Sequence, residues 1–431
     1  MLPSSIPIPL PGGLHGSLPK FVPVAQQFPT DALSDIDVAI ASQFAKFKNI
    51  DLTEKTVAIG VGSRGIKQIA PVVSAVVREL KEAGAKPFIV PAMGSHGGGS
   101  VEGQTAVLAS YGITESAMGV PVKSSLEVVE LGRIVLDVPV YCDRLAYEAD
   151  HIVICNRIKP HTDYRATHES GLIKMLAIGL GKHAGAAALH FHGFSKFAEL
   201  VPAAGKVILE NTDILFGVAL VENAEEDLRH VELVAPDDFF SRDAELLKDA
   251  ASAIPRLLFD AIDVLIIDQI GKDISGAGLD PNVTGRTASG EPGFDSGPPI
   301  GRIIIRDLTE KTEGNATGIG VADVITQRVV SKMDWTKLYV NIVTAGVLDG
   351  GKLPIVADTD RDAIGIAIRG CPGVVSNQAR IVRIKNTLEL TMVWASEGLI
   401  AGVNSNANQT ILAEAFELTF DESGVLAGSV F

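Results

Sequence analysis

Histidine recurs in this chain where chemistry could be done. Six of its nine histidines fall between residues 151 and 192: His151, His161, His168, His183, His190 and His192. An imidazole titrates near neutral pH, so it serves as proton donor, proton acceptor or borderline metal ligand. His183 and His190, seven apart, would share a helical face, whereas His190 and His192 would diverge. The spacing matches neither H-E-x-x-H nor a common zinc pattern. Lys174 is the second candidate. It sits in the apolar run G-L-I-K-M-L-A-I-G-L-G, and a buried lysine must be paired, lowered in pKa or used covalently. A third is the loop Gly94-Ser95-His96-Gly97-Gly98-Gly99-Ser100, whose backbone N–H groups could approach an anion. Each also has a plainer reading: a hydrogen-bonded histidine, a lysine snorkelling at a helix edge, a glycine-rich turn.

These groups need elements that converge them. Residues 56–62, 86–93, 151–156 and 263–268 are apolar runs that predict buried strands, and residues 206–209 predict another. Residues 66–83 carry apolar side chains at helical spacing, which makes residues 56–93 a strand–helix–strand unit of a parallel sheet. In such sheets ligands collect beyond the carboxyl ends of the strands. Four predicted strand ends carry reactive groups: Ser63-Arg64, Gly94-Ser95-His96, Asn156 to His161, and Asp268-Gln269 to Lys272. Elsewhere, residues up to about 30 predict an extended, proline-punctuated arm. Residues 237–259 predict an acidic helix with a solvated face, residues 411–416 a terminal helix, and residues 271–301 a long functional or mobile loop.

Composition narrows the class. At 431 residues the chain is too long for one compact domain and predicts two. Thirty-seven basic against 52 acidic residues leave a net charge of −15, which argues against nucleic acid or an anionic membrane as partner. Its three cysteines lack a C-x-x-C spacing and predict neither a disulfide framework nor a thiolate zinc site. With no signal-like or spanning segment, a cytoplasmic location is expected. There is no G-x-x-x-x-G-K-[ST] and no convincing G-x-G-x-x-G between a strand and a helix.

Taken in order, Arg64, Gly94-Ser95-His96, Lys159-Pro160-His161, Ser170-Gly171-Leu172-Ile173-Lys174, His190 and Gln269-x-x-Lys272 resemble the motifs of the nickel-dependent lactate racemase superfamily. The resemblance implies two α/β domains with parallel or mixed sheets and an active site in the interdomain cleft. Residues 1–255 would form the catalytic and cofactor-binding domain, 256–412 the second, and 413–431 would pack back on the first. It implies a nickel-pincer nucleotide, Ni(II) pyridinium-3-thioamide-5-thiocarboxylic acid mononucleotide, held covalently by Lys174, with His190 as the protein ligand to nickel. His96 and His161 resemble the two acid/base residues on opposite faces of the substrate carbon. Arg64, Gly94, Ser95, Ser170 and Lys272 resemble groups that hold the nucleotide, and Arg64, Gln269 and Lys272 those that hold the substrate carboxylate.

The activity implied is inversion of C2 of a 2-hydroxy acid, by hydride transfer to the cofactor ring and back on the opposite face. The cofactor-synthesis enzymes are its implied partners. Three positions depart from the better-known members: Val61 replaces an acidic residue, Leu172 replaces a glycine, and Asp268 replaces a tyrosine. With Arg165 and His168 as further polar groups, Asp268 implies a substrate larger or more polar than lactate. Two other readings stay open: a zinc- or iron-dependent hydrolase or lyase using the 151–192 histidines, and a non-catalytic protein that binds a phosphorylated metabolite.

Overall fold

A computed structural model describes residues 8, 9, 13–62 and 66–428. Arg64 is therefore outside the described residues. The chain divides into two compact units, one of residues 29–254 and one of residues 1–28 with 255–431.

In the unit of residues 29–254, a five-stranded sheet runs in the order Lys86–Pro91, Thr56–Val61, His151–Arg157, Ile214–Glu222, Leu228–Val234. The first four strands are parallel and the last is antiparallel. Ile59, Val61, Val153 and Val218 are fully buried, as expected of strands covered on both faces. The helix Ile69–Glu82 lays Val72, Val73, Val76 and Leu80 on this sheet at helical spacing. Residues 206–209 are not a strand but the end of the helix Phe197–Asn211, whose buried Leu200, Val201, Ala204 and Ile208 mark its inner face. A short apolar run does not distinguish the two structures.

The other unit is built on an eight-stranded mixed sheet. Its order is Ile355–Ala357, Val324–Thr326, Ile300–Leu308, Ile262–Ile270, Ile381–Ile384, Met392–Ser396, Phe21–Gln26, Gln409–Ile411. Two domain expectations are corrected here. The amino-terminal arm carries the strand Phe21–Gln26, which pairs antiparallel with Met392–Ser396 and so belongs to this unit. The carboxyl-terminal tail also packs on this unit rather than on the first. Residues 411–416 form no helix: Gln409–Ile411 is a strand, Phe416 pairs with Phe21, and the Phe416 ring meets Trp394 edge-on at 4.8 Å.

Asp268, expected to face a substrate, is instead the centre of an ion-pair network. It accepts from Arg306 Nη1 at 2.7 Å and from Arg383 Nε and Nη2, each at 2.9 Å. Arg306 and Arg328 both reach Asp360 at 2.7 Å. The Arg383 guanidinium, 1% exposed, lies 4.5 Å from the Trp394 ring and donates to Gly428 O. Buried guanidinium groups need this satisfaction. Within residues 271–301, residues 278–284 are buried. Asp280, Asn282 and Thr284 are buried, and Arg286 donates to Val321 O, Ile300 O, Gly301 O and Asp323.

Candidate active site

The strand His151–Arg157 delivers the first site residues. Beyond it Lys159 pairs with Ser170 through two backbone bonds, which closes residues 160–169 into a loop. Glu169 organises that loop from inside: its carboxylate accepts from His161 N at 2.5 Å, Ala166 N at 3.2 Å and Arg165 Nη1 at 3.1 Å. Burial holds the Glu169 pKa above its ordinary value despite these donors. His161 is 5% exposed, and its Nδ1 accepts from Asp163 N–H at 3.0 Å. A backbone N–H can only donate, so a neutral His161 ring carries its proton on Nε2.

Lys174 follows at a helix start. Gly171 has no side chain because a Cβ there would lie 2.1 Å from Asp243 Oδ1. Asp243, 1% exposed, comes from the helix Phe239–Ala253 and accepts from Leu172 N at 2.6 Å, capping the first turn from a distant element. That helix is more than a solvated face. Directly after Lys174 the chain makes a π-helical segment, Met175–Leu180, a rare conformation found mostly at functional sites. Gly179 permits it, since a Cβ there would meet Met175 Sδ at 2.2 Å. The chain then bends by 108° into the helix Lys182–His190.

The bend returns His190 to the neighbourhood of Lys174. Three buried rings pack against the candidate residues: Tyr164, Phe194 and Phe197. Lys174 Nζ lies 6.0 Å from the Tyr164 ring centre, and the His161 ring packs tilted against Tyr164 at 4.5 Å. His190 meets Phe194 and Phe197 edge-on at 5.2 and 4.9 Å. Burial, with a smaller contribution from the Lys174 charge, lowers the His190 pKa to about 4. Its imidazole is therefore neutral at physiological pH, the form that binds a metal. Tyr164, whose pKa burial drives well above 10, stays a phenol and donates to Glu169 O at 3.3 Å.

His161, Lys174 and His190 thus share one aromatic-lined region. His96 is exposed on the adjacent loop, which lies against the helix Lys182–His190: a Cβ on Gly94 would be 2.8 Å from the Ala186 Cβ, and one on Gly99 3.4 Å from the His183 ring. Ser95 precedes His96 on the same turn. The remaining histidines disperse. His151 pairs with Asp213 at the opposite end of its strand. His168 is buried, with Nδ1 3.2 Å from Asp243 Oδ2. Arg165 donates to His161 O at 2.7 Å as well as to Glu169, so both added polar groups brace the loop. Among the described residues no group of three or more His, Cys, Asp or Glu side chains converges as a metal site. Gln269 and Lys272 end the strand Ile262–Ile270 of the other unit; Gln269 N donates to Lys385 O, and Lys272 Nζ to Gly276 O at 2.7 Å.

Residues 34–199, the segment that carries His96, His161, Lys174 and His190, match the lactate racemase N-terminal domain. Over that segment the chain carries a lactate racemase N-terminal domain. The lactate racemase apoprotein from Thermoanaerobacterium thermosaccharolyticum has a similar fold, with a TM-score of 0.54 over 86% of this chain and 99% of that one. Identity between them is 13%, so that likeness is one of fold. No curated protein matches the sequence significantly.

The His190 shift has a measurable consequence. Between pH 4 and 6.5 the unfolded chain binds a proton that folded His190 refuses, so stability falls as pH drops through that window and is fully present above it. The wild-type protein is expected to lose about 2–3 kcal/mol more than His190→Gln between pH 7 and pH 4. Urea unfolding of both proteins across that range measures the difference.

Proposed function

We propose that this racemase-family protein inverts C2 of a 2-hydroxy acid with a nickel-pincer nucleotide attached to Lys174. The observation that carries the reading is the convergence of a lysine, a neutral histidine and a second buried histidine on one aromatic-lined region. These residues fit the group. His190 offers one neutral nitrogen donor, suited to nickel, and Lys174 offers an amine for covalent attachment. Tyr164, Phe194 and Phe197 give a flat ring an apolar wall. When bound, the nucleotide would supply a hydride-accepting ring beside its nickel.

The chain's own residues would supply position and proton transfer. His161, its ring packed on Tyr164 and its Nδ1 held by the Asp163 N–H, would exchange the substrate hydroxyl proton through Nε2. His96 would serve the opposite face from its glycine-rich loop. The buried Phe194 and Phe197 would help exclude water from a substrate held beside them. The carboxylate clamp is assigned to Arg64, Gln269 and Lys272 on the resemblance alone. A larger substrate draws no support from Asp268, Arg165 or His168, because all three are engaged by protein groups.

Protein made together with the cofactor-synthesis enzymes should convert one enantiomer of a short 2-hydroxy acid into a mixture of both, read by chiral chromatography. Unchanged enantiomers across a panel of monocarboxylic, dicarboxylic and sugar acids would overturn the reading.

A further inference from the structure

Lys182 is a fully buried charged side chain that this proposed chemistry leaves unused. It is completely buried, and its backbone adopts a left-handed φ of +55° at the bend between Met175–Leu180 and Lys182–His190. A non-glycine residue in that region is strained, and a buried ammonium is costly. Both costs fall on one residue.

The side chain spans three elements. Nζ donates to Pro91 O at 2.7 Å and to Gln104 Oε1 at 2.7 Å, and lies 3.5 Å from Asp143 Oδ2. Two of the ammonium protons meet acceptors, and the Asp143 carboxylate balances the charge as an ion pair. Gln104, also fully buried, passes the connection on: its Nε2 donates to Met93 O at 3.1 Å and Gly94 O at 3.0 Å. Lys182 and Gln104 together therefore hold the carbonyls of Pro91, Met93 and Gly94. These residues lead from the strand Lys86–Pro91 into the loop that presents His96. The same loop touches the helix Lys182–His190 at Ala186 and His183.

We propose that Lys182, acting through Gln104, is a positioning residue that fixes His96 relative to the helix carrying His190. This inference rests on the racemase reading for its kinetic consequence, but its structural claim stands apart. The residue that makes the bend also ties down the loop, so the geometry of the two ends of the site is set by one side chain.

The test uses Gln104→Glu, which keeps an acceptor for Lys182 and removes both donors to the loop. Lys182→Met serves as a second variant. In loaded enzyme, Gln104→Glu is expected to lower kcat by at least tenfold with KM little changed, because small misplacement of an acid/base group costs rate rather than binding. In the His96→Ala background the same change should cost less than twofold, since its route of action is already gone. An equal loss in both backgrounds would overturn the proposal. Hydrogen exchange gives an answer without turnover. Amides of residues 97–100 should exchange faster in Gln104→Glu while those of 172–190 keep their protection. Uniform loosening of both segments would mark a general structural brace and overturn the proposal. A wild-type protein with no racemase activity would refute the racemase reading, and the exchange result would still decide this one.

Discussion

Alanine at His161 is expected to slow inversion of the substrate by roughly 10³-fold while a nucleotide on Lys174 stays attached. The ring is packed against two neighbours, Tyr164 at 4.5 Å and Phe194 at 5.7 Å, and the Asp163 N–H fixes its Nδ1. A residue so restrained can present Nε2 with one orientation. Truncating His161 removes no atom of Lys174, whose Nζ keeps its place 6.0 Å from the Tyr164 ring centre, so the attachment point is expected to stay intact. Single-turnover rates and an intact mass on the same sample measure the two effects. A rate within threefold of wild type would remove His161 from the chemistry. Loss of the adduct would make it part of the cofactor cradle instead.

The second large effect is on stability. Asp268→Ala leaves the guanidinium of Arg383, among the described residues, with the Ala427 and Gly428 carbonyls and the Trp394 face, and deprives Arg306 of one of its two carboxylates. Removing one partner of a buried ion pair typically costs about 3–5 kcal/mol. For a unit of this size that corresponds to a fall in Tm of roughly 6–20 °C. Asp268→Asn, which keeps the shape and some acceptor capacity, should lose less. A fully stable Asp268→Ala with altered substrate preference would return Asp268 to the role its position in the sequence implied.

The buried strands were legible because their apolar runs are short, dense and bounded by turn residues: Thr56–Val61, His151–Arg157 and Ile262–Ile270 all fall where those runs predict them. What escaped the sequence is what depends on distant partners. Phe21–Gln26 looked like a free arm because its partners, Met392–Ser396 and Gln409–Ile411, lie more than 360 residues away. At the site, His161, Lys174 and His190 were visible by type and order. Phe194 and Phe197 were not picked out, although with His190 they stand at i, i+4 and i+7, the spacing of one helical face. Asp243 carries no local signal at all. Its role at Leu172 and His168 arises only because the helix Phe239–Ala253 packs there. Conversely, Arg165, His168 and Asp268 looked available for a ligand because sequence does not show which polar groups already have partners.

The covalent cofactor on Lys174 is the claim on which the rest turns. It is tested most directly by intact mass with peptide mapping of protein produced alongside the cofactor-synthesis enzymes. The account predicts a nucleotide-sized mass increase located on Lys174, absent from Lys174→Ala and present in His161→Ala. An unmodified Lys174 in protein from that host would contradict it.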